Sequence, residues 1–166
     1  MKNFICAIAL AGLMMCAHVD LKGQTYETAI GLRLGFPSSL SVKHFVNDSH
    51  ALEGYVGFRG WSGYNWVHIS GAYLVHNPIE DVDNLLWYFG GGASVFFWNF
   101  DDGFLGNNDF STTTLGVQGY LGLDYSFDDV PINLSVDWVP TIYIGDSFNT
   151  GFSGGFGALA IRYTLN

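Results

Sequence analysis

Cysteine is nearly absent: the 166 residues contain two, Cys6 and Cys16, and both lie among the first 23. The remainder of the chain therefore has neither disulfides nor thiolate-bound metals to hold it together. Basic residues are also scarce, with six Lys and Arg against fifteen Asp and Glu. A nucleic-acid surface needs clustered cations, so that class of function is excluded. Long apolar runs are missing too. The run from Phe4 to Ala17 is shorter than the roughly 20 residues of a spanning helix, and no later segment reaches that length. Any membrane insertion must therefore be by strands.

What is present begins with Lys2, the apolar run and a polar stretch ending near Gln24. A basic start, a short apolar run and a small residue at the cut describe a secretory signal peptide. Residues 1–23 are expected to be that signal, cleaved after Gly23, and residues 24–166 a single domain. Cys16, three residues after Leu13, invites a lipid-attachment reading, but Met15 stands where a small residue is required. Without the signal, four basic and fourteen acidic residues remain, a net charge of −10. Asp48, Glu80, Asp81, Asp83, Asp101, Asp102, Asp109, Asp128, Asp129 and Asp146 fall in segments that read as turns. The four bases, Arg33, Lys43, Arg59 and Arg162, fall instead within strands, although basic side chains normally seek water.

The clearest periodicity runs from Thr114 to Phe127. Leu115, Val117, Leu121, Leu123, Tyr125 and Phe127 alternate with Thr114, Gln118, Tyr120, Asp124 and Ser126. A period of two puts each set on one face of a strand. At about 3.3 Å per residue the segment spans roughly 46 Å, well beyond the usual soluble strand. One face is apolar throughout and the other polar, which suits lipid on one side and a narrow polar interior on the other.

Similar alternation predicts strands over 26–36, 40–46, 51–59, 66–75, 85–98, 132–143 and 154–165. Loops or turns are expected near Pro37, over 60–65, over 76–84 and over 99–112. Eight strands, an even number, can close as an antiparallel up-and-down barrel with both termini at one end. The fold class expected is thus all-β, a closed transmembrane barrel. Trp61, Tyr64, Trp66, Trp87, Trp98, Trp138, Tyr143 and Tyr163 fall near strand ends, where rings suit a membrane–water boundary.

Gly31-Leu-Arg33-Leu-Gly35-Phe-Pro37, continuing through Lys43 and Phe45 to Asn47-Asp48, resembles the first hairpin of small Gram-negative outer-membrane β-barrel proteins. The alternating end from Leu159 to Leu165 is similar to the terminal signal read by the outer-membrane assembly machinery. It departs in closing on Leu165-Asn166 where that signal usually ends on an aromatic residue. The resemblance covers the whole of 24–166 and implies location more strongly than activity.

Three groups of residues could carry chemistry. Arg33, Lys43, Arg59 and Arg162, with Glu53, Asp124 and Asp137, predict a salt-bridge network across the lumen, because an unpaired buried charge is costly. Such a network either lines a selective pore or fills the barrel, and eight strands leave an interior that side chains can plug. His68-Ile69-Ser70 is similar to the His-x-Ser pair of outer-membrane lipid A deacylases, in which His activates Ser. No acid shares its strand, so Glu53 or Glu80 would have to complete a triad. Asp101, Asp102 and Asp109, with Asn107 and Asn108, could hold Ca²⁺ but lack the spacing of an EF-hand loop. The glycines over 151–157 lack the Lys-Ser/Thr of a phosphate-binding loop and suit strand bending.

The expectation is a small monomeric outer-membrane barrel with a plugged lumen, no cofactor and a structural or surface-contact role. Its partners would be outer-membrane lipid, lipopolysaccharide and the assembly machinery. Two alternatives stand beside it: a lipid A-modifying hydrolase using His68 and Ser70, and a soluble secreted barrel carrying a small apolar ligand. The last requires a polar exterior and an apolar interior.

Overall fold

The computed structural model describes residues 26–35, 38–61, 64–100, 110–144 and 151–165. Eight strands follow one another: β1 Thr28–Gly35, β2 Ser39–Phe45, β3 His50–Trp61, β4 Tyr64–Pro78, β5 Leu85–Phe100, β6 Phe110–Ser126, β7 Ile132–Ile144 and β8 Gly151–Leu165. Each pairs antiparallel with the next, and β1 pairs with β8 to close the barrel. Closure leaves no sheet edge along the paired length, which is the general hazard of an isolated β-sheet. Residues 1–23, expected to be a signal, with both cysteines, and the acidic candidates Asp101, Asp102 and Asp109 lie outside the described residues.

Alternation governs which way each side chain points. Ile30, Leu32, Val42, Leu52, Val56, Ile69, Leu115, Val117, Leu121, Val136 and Ile161 are all more than two-fifths exposed on the outer surface. Their neighbours in sequence turn inward, and among the described residues the lumen is filled by polar and aromatic side chains together with Leu74: Lys43, His68, Tyr88, Asn133 and Leu74 are all fully buried. The polarity is thus the reverse of that required by a soluble carrier.

The structure revises several boundaries. The loop expected over 60–65 shrinks, because Trp61 still pairs with Tyr64. The turn expected over 76–84 begins later: β4 continues to Pro78, and His76 is a buried lumen residue. Trp66 and Tyr143, read as boundary aromatics, also point inward, at 1% and 7% exposure. They occupy inward registers, and ring size does not override strand parity.

Turn chemistry fixes the end that carries both termini. Asn47 Oδ1 accepts from the backbone N–H of Ser49 at 3.0 Å and of His50 at 2.9 Å, an Asx turn. Asn84 adopts a left-handed φ of 62° and its amide donates to Asp128 at 2.6 Å, tying two turns together. In β7, Pro140 cannot donate to a ladder, and the β7–β8 register shifts by one residue there. Gly155 meets the bulge with φ 93°, and the Trp138 indole donates to the Gly154 carbonyl at 2.7 Å.

Candidate functional site

The lumen is organised in layers along its axis. The central layer is a charge network contributed by six of the seven residues expected to form it. Glu53 Oε1 lies 2.5 Å from Arg162 Nη2 and 3.2 Å from Arg33 Nη1, and accepts from Ser41 Oγ at 2.9 Å. Its other oxygen is 3.9 Å from Lys43 Nζ. Lys43 in turn meets Asp124 at 2.6 Å, and Arg33 meets Asp137 at 2.6 Å. Three cations therefore face three anions in a space from which water is excluded. Pairing of this completeness is what a low-dielectric interior demands, since a lone buried charge would be strongly destabilising.

Neutral groups complete the layer. Arg162 also donates to Ser41 at 2.9 Å and Ser135 at 2.8 Å, while Asn133 donates to Asp124. Tyr88 donates to Asp137 at 2.6 Å, and its ring faces Lys43 Nζ at 4.6 Å. Arg33 likewise stands over the Tyr55 ring at 4.8 Å. The reach of Tyr88 depends on a missing side chain. Tyr88, Gly122 and Asp137 are successive cross-strand partners on β5, β6 and β7. A Cβ on Gly122 would stand 2.7 Å from both the Tyr88 ring and Asp137 Cβ.

Arg59 does not join this layer. It keeps the inward parity of β3 but lies six residues beyond Glu53, roughly 20 Å along the strand, and is exposed at the end opposite the termini. Alternation gives the face of a residue and not its depth, which is why the sequence grouped it with the others.

The layer nearer the far end is aromatic. His68 stacks on Phe96 at 5.2 Å and 20°, with Trp66 at 5.6 Å and Tyr55 at 5.5 Å. It packs against the backbone of Gly57, its cross-strand partner, where a Cβ would collide with the imidazole. His68 and Ser70 do share the lumen face, but neither imidazole nitrogen nor the Ser70 hydroxyl makes a hydrogen bond among the described residues. Glu53 is committed to its three cations, and Glu80 lies exposed in the turn at the terminal end. No Ser-His-acid arrangement is assembled among the described residues. No group of three potential metal ligands occurs among them either. On the terminal side of the charge layer, Tyr26 meets Phe45 edge-on, and Phe45, His76 and Tyr88 follow in tilted ring contacts.

Parity places Ser41, Asn133 and Ser135 on the inner face, beside Lys43 and Asp137, but sequence reasoning did not join them to the charge network. Tyr88 was missed altogether, because β5 reads as apolar on both faces.

Comparison with solved structures bears on the architecture. The N-terminal β-barrel domain of Pseudomonas aeruginosa OprF matches with a TM-score of 0.63 at 13% identity, covering 83% of this chain and 95% of that one. The fold is that of the eight-stranded outer-membrane barrels. Neisserial surface protein A (NspA) matches similarly, with a TM-score of 0.59 and 15% identity over 83% of this chain and 93% of its own. The eight-stranded barrel is thus shared at identities of 13% and 15%. No protein-family model matches the sequence, and no curated protein matches it.

Proposed function

We propose that the protein is a resident of the bacterial outer membrane with a non-enzymatic role, in envelope integrity or in surface contact through the loops at the end opposite its termini. The observation that carries this reading is the inverted polarity: an apolar outer surface around a lumen plugged by three paired cations and anions. An apolar band around a closed barrel matches a hydrocarbon layer, and a plugged lumen argues for a scaffold over a pore. In this reading the termini face the periplasm, the assembly machinery inserts the chain as a monomer, and lipid and lipopolysaccharide surround it.

The test compares wild-type cells, a deletion strain and the deletion strain complemented with Ser70→Ala. A scaffold predicts that deletion weakens the outer-membrane barrier to detergent, that Ser70→Ala restores it fully, and that lipid A has one composition in all three strains. An acyl-trimmed lipid A present only in the wild type would establish a deacylase in its place.

A further inference from the structure

Arg33 reaches its second carboxylate across a whole strand. It lies on β1 and Asp137 on β7, so the ion pair between them passes over β8. β8 allows the crossing because it presents methyl groups there: Ala160 is the cross-strand partner of Arg33, and Ala158 that of Asp137. The next inward residue toward the far end is Phe156, opposite Val139. Between the charge layer and that ring a cavity of ≈ 20 Å³ remains. Arg33, Tyr55, Gln118 and Tyr143 are its polar lining, and Val139 and Phe156 belong to its apolar lining.

The polar residues have hydrogen-bonding capacity beyond their existing partners. Arg33 donates from Nη1 to Glu53 at 3.2 Å and from Nη2 to Asp137 at 2.6 Å, and a guanidinium carries further N–H groups. Gln118 accepts from Tyr55 at 3.3 Å and from Tyr120 at 3.0 Å through one oxygen, which leaves its amide NH2 to donate. The hydroxyls of Tyr55 and Tyr143 can both donate and accept.

We propose that this cavity is a binding site for one water molecule, which accepts from Arg33 and Gln118 and donates to the two tyrosine oxygens. Size decides the occupant. A water needs about 10–15 Å³ of such space and about two to four polar partners, and both conditions are met. An alkyl chain or an organic ligand does not fit. Neighbouring charges exclude an ion of similar size. A cation would face Arg33, and an anion would unbalance a layer in which three cations already face three anions. The ion pairs themselves stay dry, because Arg33 closes directly on both carboxylates and the water takes only its open side. Its role is positional: it ties Tyr143, which meets Phe96 edge-on at 5.6 Å, to the charge layer.

The test is solution NMR on the full chain folded in detergent micelles, reading the nuclear Overhauser effect between water and the Gln118 side-chain amide protons. Two variants fill the cavity from different strands, Ala158→Val from β8 and Val139→Ile from β7. Val117→Ile on the outer face is the control. The wild type and the control should show the effect with the sign of a long-residing water, and both filled variants should lose it. If one filled variant fails to fold, the other decides. No effect in the wild type overturns the proposal. So does an effect that persists in the filled cavities, which would trace it to exchanging tyrosine hydroxyls. Contacts from detergent chains to the same amide, in place of water, would assign the cavity a hydrocarbon occupant and overturn it as well.

Discussion

Glu53→Gln removes one charge from the centre of the lumen network while preserving volume. The carboxylate is fully buried, 2.5 Å from Arg162, 3.2 Å from Arg33 and 3.9 Å from Lys43. After the change three buried cations face two anions, and the uncompensated charge has no route to water. Breaking a buried pair in this way costs about 3–5 kcal/mol, much of it the penalty on the cation left behind. Reversible urea unfolding in lipid vesicles, followed by tryptophan fluorescence, reads the loss directly. Asp129→Asn in an exposed turn is the control and should change stability by no more than about 0.5 kcal/mol. A loss below about 1 kcal/mol for Glu53→Gln, the range of exposed ion pairs, would refute the view that this network is dry and tightly paired.

Other outcomes follow from the same geometry. Leu121→Arg, on the outer face at 51% exposure, should cost about 2–4 kcal/mol of vesicle stability if that face meets lipid near mid-membrane, and almost nothing if it meets water. Gly122→Val should displace Tyr88 from Asp137 and cost about 1–3 kcal/mol by overpacking, measured by the same unfolding assay. Gly155→Ala should cost about 1–2 kcal/mol, because φ is 93° and its new Cβ would stand 2.7 Å from Pro140 N. A neutral Gly155→Ala would mean that the bulge opposite Pro140 relaxes freely.

Much of the fold was legible because one physical rule, period two, acts along the whole chain. The stretch from Thr114 to Phe127 announced its outward-facing and lumen-facing sets without help from any other segment. Lys43 and Glu53 could be placed together because a short turn fixes the β2–β3 register, and they are direct cross-strand partners. Depth was the quantity the sequence could not supply. Arg59 shares the parity of Glu53 yet sits at the rim, and His76 looked like part of a turn although β4 carries it into the lumen. The Tyr88–Asp137 bond was illegible for a related reason. It spans two ladders across Gly122, and neither register can be read from β5, which is apolar on both faces. Trp66 and Tyr143 were misplaced by weighing aromatic character above parity.

The most direct measurement of the central claim is cell fractionation combined with gel migration before and after boiling. An outer-membrane barrel predicts that the protein sediments with the outer membrane, resists extraction by carbonate, and migrates faster unboiled than boiled, since a closed barrel stays compact in detergent. Recovery of the protein in the soluble periplasmic fraction, with one mobility whether heated or not, would contradict it.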